Sequence, residues 1–131
     1  MAATCTEVRT RTIPHPAGGV IQEIVFTWTA HTDGAVTSAV STTAFDVSGV
    51  ILGIKTKDGG TNPGNGYTVA FSDEDGYAFA AVTGTTGTVT YYAAPTVAGF
   101  LLMGETVSLA IAGAGSGGQG VTTLYVWQSG R

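Results

Sequence analysis

The sequence predicts an all-β fold: an antiparallel β-sandwich or jelly roll of about eight strands, with an extended N-terminal arm. Three observations carry this expectation. Apolar residues recur with period two, as in Ile24, Phe26 and Trp28, the spacing of a strand with one buried face. Clusters of Gly, Asp, Asn, Ser and Pro interrupt these runs at spacings of roughly 8–12 residues, the rhythm of sandwiches and barrels. No window sustains the ~3.6-residue period of a helix. The long turn clusters at 58–66 and 112–120 favour a sandwich over a barrel.

The elements follow in order. Residues 1–19 are polar and end in Pro14-His15-Pro16-Ala17-Gly18-Gly19; the prolines block a helix. Within them Glu7–Ile13 alternates weakly, as an edge strand or an arm reaching onto a neighbouring subunit would; a disordered tail fits the same residues. Residues 20–131 form the domain proper. Val20–Ala30 is the strongest strand, with Val20, Ile24, Phe26, Trp28 and Ala30 sharing a face. His31-Thr32-Asp33-Gly34 is a turn with the Asp-Gly pair that favours hairpins. Ala35–Phe45 reads as a second strand with a polar outer face. Val50, Leu52 and Ile54 line one face of the next, with Lys55 and Lys57 near its end as guards against edge pairing. Residues 58–66 form an exposed loop. Tyr67, Val69 and Phe71 alternate, Ser72–Gly76 closes a hairpin, and Tyr77, Phe79 and Ala81 return from it. After the Thr/Gly turn at 83–88 come short strands at Thr88–Tyr92 and Val97–Met103, then an alternating one at Val107, Leu109 and Ile111. Ala112–Gly120 is a flexible loop. Val121–Trp127 is apolar at both parities, as in a strand that is central or covered on both faces. The expected core is Phe26, Trp28, Leu52, Ile54, Val69, Phe71, Leu109 and Ile111.

Composition narrows the function. The chain has 131 residues, 44% of them hydrophobic, enough for a core without metal or disulfide staples. Its 20 glycines, about twice the usual share, follow no fixed period and so mark turns. Only 11% of residues are charged, with a formal net charge of −4. Five basic residues without a run give no stripe for phosphates, so no nucleic-acid partner is expected. No stretch approaches ~18 apolar residues and no charged n-region precedes an apolar one, so neither a membrane span nor a secretory signal is expected.

Groups able to do chemistry are few and scattered, and the chain is expected not to be an enzyme. Cys5 is the single cysteine and reads as an inert thiol. His15 and His31 lack ligand-spaced partners, apart from a weak match between His31 and Asp33. Asp73-Glu74-Asp75-Gly76 could suit calcium, but lacks the further oxygen ligands and reads as a hairpin tip. The glycine-rich 112–118 lacks the Lys and following helix of a phosphate loop. No metal, cofactor or catalytic residue is expected. Phe26, Trp28, Tyr67, Phe71 and Trp127 read as core rather than a sugar platform. Tyr91 and Tyr92 point to opposite faces, which makes Tyr92 an interface candidate. Arg9, Arg11, Ile13, Pro14 and Pro16 of the arm are the other interface candidates.

One pattern resembles a known family. Phe26-Thr27-Trp28-Thr29-Ala30 with Asp33–Ala39, then Gly49–Thr56, Asn62-Pro63, Tyr67–Phe71, Ser72–Gly76, Val107–Ile111 and Val121–Trp127, is similar to small virion proteins of tailed bacteriophages and prophages. The likeness spans roughly residues 24–127, rests on strand and turn patterns, and leaves out the first 20 residues. It implies a β-sandwich component of the virion. The leading expectation is a cement or decoration protein on the capsid surface, made in the host cytoplasm. It would bind the major capsid protein or other virion proteins, as a trimer or dimer. A neck, tail or fibre-base component is the alternative, and a carbohydrate-binding module the alternative from another class.

Overall fold

Alternating apolar residues give this chain two sheets that bury a common core. The computed structural model describes residues 4–14, 19–36, 46–73, 75–92 and 101–128. Their strands are β1 (Thr4–Pro14), β2 (Val20–Thr29), β3 (Asp46–Asp58), β4 (Thr68–Ser72), β5 (Ala78–Thr83), β6 (Thr90–Tyr92), β7 (Leu101–Thr106), β8 (Ser108–Ala112) and β9 (Gln119–Gln128). No helix occurs among the described residues. The larger sheet runs β1-β2-β9-β3-β6, with β7 pairing the first half of β3; the smaller runs β5-β4-β8. Every pairing is antiparallel.

The larger sheet supplies Ile24, Phe26 and Trp28 from β2, Ile51 and Ile54 from β3, and Leu124 and Val126 from β9. The smaller supplies Val69 and Phe71 from β4, Val82 from β5, and Leu109 and Ile111 from β8, with Tyr67 just before β4. Rings lock the layers together. Phe26 meets Phe71 edge-on at 5.1 Å, and Trp28 meets Tyr67 at 5.5 Å. Burying each ring removes ~150–250 Å² from water, worth roughly 4–6 kcal/mol before the cost of ordering the chain. The arrangement is consistent with a β-sandwich.

Bulges decide which residues face the core. Between β3 and β9 the register passes from Ile51↔Val126 to Gly53↔Tyr125, so Leu52 is the extra residue. Leu52 is therefore only half-buried, and Ile51 takes the inward place expected for it. The other seven expected core residues are buried. In β5 the extra residue is Phe79, after which Val82 faces inward and Ala81 outward; Tyr77, before the bulge at the hairpin tip, is exposed.

Other expectations also change. The turn at 31–34 closes as foreseen: Gly34 N–H donates to the His31 carbonyl at 2.8 Å, and His31 N–H to Ala35 at 2.9 Å. The chain then crosses to the smaller sheet, where Val36 pairs with Ile111; the rest of the expected strand, 37–45, lies outside the described residues. Lys55 guards no edge, because it pairs with Thr123 on one side and Tyr91 on the other. The loop 58–66 is exposed only in part, since Pro63 is buried. The segment Ala112–Gly120 is knitted in rather than flexible. Ala114 donates to Gly34 and accepts from Gly64, while Gly118 accepts from Ala30. Central β9 lies between β2 and β3, as its sequence indicates.

Candidate functional site

The expected interface residues fall at two opposite edges of the larger sheet. Of the readings open for Glu7–Ile13, the structure has the edge strand: β1 pairs with β2 from Thr4↔Thr29 to Pro14↔Val20. Thr10 is the extra residue of a bulge, so Arg9 sits opposite Ile24, a core position, and Arg11 opposite Glu23, on the outer face. Ile13 is opposite Ile21, and Pro14 is exposed at the strand end. Pro16 lies outside the described residues. Tyr92 ends β6 at the far edge, paired with Ile54. Three strands separate β6 from β1, a span of about 19 Å at ~4.8 Å per strand, so pairing does not bring Tyr92 to the β1 residues.

Between these edges lies a surface that sequence reasoning missed. On the outer face of the larger sheet, register aligns Ile21 with Trp127 and Val50, Glu23 with Tyr125 and Gly53, and Val25 with Thr123 and Lys55. Thr27, Val121 and Lys57 complete the face. Ile21, Val25, Val50, Val121, Tyr125 and Trp127 are all partly exposed. The Lys55 ammonium stands 6.0 Å from the centre of the Tyr125 ring, at cation–π range. Glu23 is buried among these neighbours. Trp127 is thus an outer-face residue and not core. Because β9 is apolar at both parities, its sequence does not say which parity faces inward; the pairing of Leu124 with Ile24 and Ile54 decides it.

Inside, four side chains form a polar chain between the sheets. The Trp28 indole Nε1–H donates to Thr122 Oγ1 at 3.0 Å. Thr122 Oγ1 lies 2.9 Å from Thr56 Oγ1, which lies 3.1 Å from the Tyr67 hydroxyl. Burial pushes the Tyr67 phenol above its ordinary value; the Thr56 hydrogen bond opposes this, and the negative charge of Asp58 adds to it. Glycines leave room for the rings. A Cβ on Gly84 would fall into the Tyr67 ring, and one on Gly120 into Trp28.

Asp58, two residues beyond Thr56, accepts the Gly87 amide proton on Oδ2 at 2.6 Å, a short charge-assisted bond tethering the 85–88 turn. Lys57, Asp58, Gly87, Thr88 and Val89 line a shallow groove of about 260 Å³.

The remaining polar candidates serve turns. Asp73 Oδ1 accepts from the amides of Asp75 at 3.0 Å and Tyr77 at 2.9 Å, which pins the hairpin tip. His31 Nδ1 stands 3.5 Å from Asp33 Oδ1, both groups exposed, and Asp33 Oδ1 also accepts from Ala35 N–H at 3.0 Å. Cys5 is opposite Trp28, half-buried and packed against the core. Among the described residues, no three His, Cys, Asp or Glu side chains gather as a metal site would require. Compared with known proteins, the chain matches no family model, no curated protein and no solved structure.

Proposed function

We propose that this chain is a non-enzymatic β-sandwich that works by docking, as a cement or decoration protein on the capsid of a tailed bacteriophage. The observation that carries docking is the outer face of the larger sheet. Ile21, Val25, Val50, Val121, Tyr125 and Trp127 give it a partly exposed apolar character, with Lys55 and Lys57 along one side. Interface cores are enriched in aromatic residues, and this face sets Tyr125 and Trp127 among partly exposed aliphatic side chains. The virion setting rests on the sequence resemblance alone. The net charge of −4 suits an outer surface better than one lining DNA. On this reading the partners are the major capsid protein and further copies of the chain, as a trimer or dimer. Two facing sheets with a common core support the sandwich, with a jelly roll as its finer form.

The test adds purified protein to shells that lack it. Wild type is expected to bind at capsomer stoichiometry, and the pair Val25→Glu with Val121→Glu to lose binding while keeping its far-UV spectrum. Attachment of wild type to tail structures instead would move the protein to the neck, tail or fibre base. A second reading, a carbohydrate-binding module, is favoured by one feature: Tyr125 and Trp127 are two residues apart on the same strand face. A glycan array separates the two, since binding lost in Trp127→Ala would select the sugar reading.

A further inference from the structure

The polar chain between the sheets has four donor protons and three hydrogen bonds, so one proton is left over. An indole N–H can only donate, so Thr122 Oγ1 accepts from Trp28. Either hydroxyl of the Thr122–Thr56 pair can be the donor; when the Thr122 proton goes to Thr56 Oγ1, all the bonds run one way along the chain. Thr56 then donates to the Tyr67 oxygen. In that arrangement the chain runs Trp28, Thr122, Thr56, Tyr67, and the proton left over is that of Tyr67, which is then available to an acceptor beyond the chain. Asp58 has the opposite need. Its Oδ2 takes the Gly87 amide, while Oδ1 is buried without a hydrogen-bond donor. Thr56 and Asp58 are two apart on β3, opposite Thr122 and Gly120, so they share the inward face about 6.5–7 Å apart. A spare donor and a spare acceptor thus end on the same side of one strand, with no direct bond between them.

We infer that one buried water molecule binds between the Tyr67 hydroxyl and Asp58 Oδ1, accepting from the phenol and donating to the carboxylate. Water is the smallest group that both accepts and donates, and a buried carboxylate oxygen without a donor is costly. The bridge extends the chain from Trp28 to the 85–88 turn through Asp58 and Gly87, tying both sheets to the wall of the groove.

The test is a crystal structure of the full chain at near-atomic resolution, combined with melting of Tyr67→Phe, Asp58→Asn and the double variant. A water oxygen within hydrogen-bond distance of both atoms is expected, and the double variant should melt about where the worse single variant does. A direct Tyr67–Asp58 hydrogen bond, or a gap between them without a water, overturns the inference. So do melting shifts that simply add. The crystallographic arm uses the wild-type chain, so it decides the matter even where a variant does not fold.

Discussion

Two buried rings bear the most at the scale of single residues. Trp28 fills the space beneath Gly120, packs on Tyr67 and starts the polar chain. Trp28→Ala should cost about 3–5 kcal/mol through lost burial and a cavity. Urea denaturation measures it, and a loss under ~1 kcal/mol would mean that the indole is not the core residue described. Tyr67 gives a pH dependence whose sign follows from its raised pKa. The folded state keeps the phenol protonated above pH 10.0, the ordinary value, where the unfolded chain begins to ionise. The stability this group contributes is complete below that pH and is lost as pH climbs toward the folded value. Alkaline titration of the melting temperature should therefore fall less steeply in Tyr67→Phe than in wild type. Equal slopes would remove Tyr67 as a source. The identity of these rings as core was legible in the sequence, since Trp28 and Tyr67 each fall in an alternating run. Their hydrogen-bond partners were not, because Thr56 and Thr122 lie on different strands, 66 residues apart.

Strands were read well where alternation is unbroken and misread where a bulge intervenes. Val69, Phe71, Leu109 and Ile111 sit in regular ladders and face inward as the period of two requires. Leu52 and Ala81 lie at or beyond inserted residues, and a bulge exchanges the two faces for everything after it. The period is local, whereas the bulge is a property of the pair of strands, so one strand's sequence does not announce it. The same limit hid the outer face: β9 is apolar on both sides, and only its register with β2 and β3 assigns Tyr125 and Trp127 outward. This yields a paired expectation. Ile54→Ala should cost about 2–5 kcal/mol as a core deletion, and Leu52→Ala distinctly less, under ~1.5 kcal/mol. Chemical denaturation ranks the two, and the reverse order would put Leu52 back in the core.

For the whole molecule, the question is whether its parts unfold together. The two sheets share one apolar core, the rings of Phe26 and Trp28 contact those of Phe71 and Tyr67, and the loop at 113–118 bonds to the segments around residues 30–34 and 64. Among the described residues neither sheet has a second core to fall back on, so opening one exposes the other. A single cooperative transition is expected, with far-UV circular dichroism and tryptophan fluorescence reporting the same midpoint. The N-terminal strand belongs to that unit. Residues 4–14 pair with β2 along its length, and Cys5 packs against the core beside Trp28. Removing residues 2–18 would bare the edge of β2 and uncover that flank of the core. The truncated chain should accordingly keep a single transition but melt at a lower temperature than the full chain. An unchanged midpoint would show that the segment adds nothing to the fold, and would leave contact with a neighbouring subunit as its role. A second, separate transition in either protein would show that the sheets do not depend on a common core.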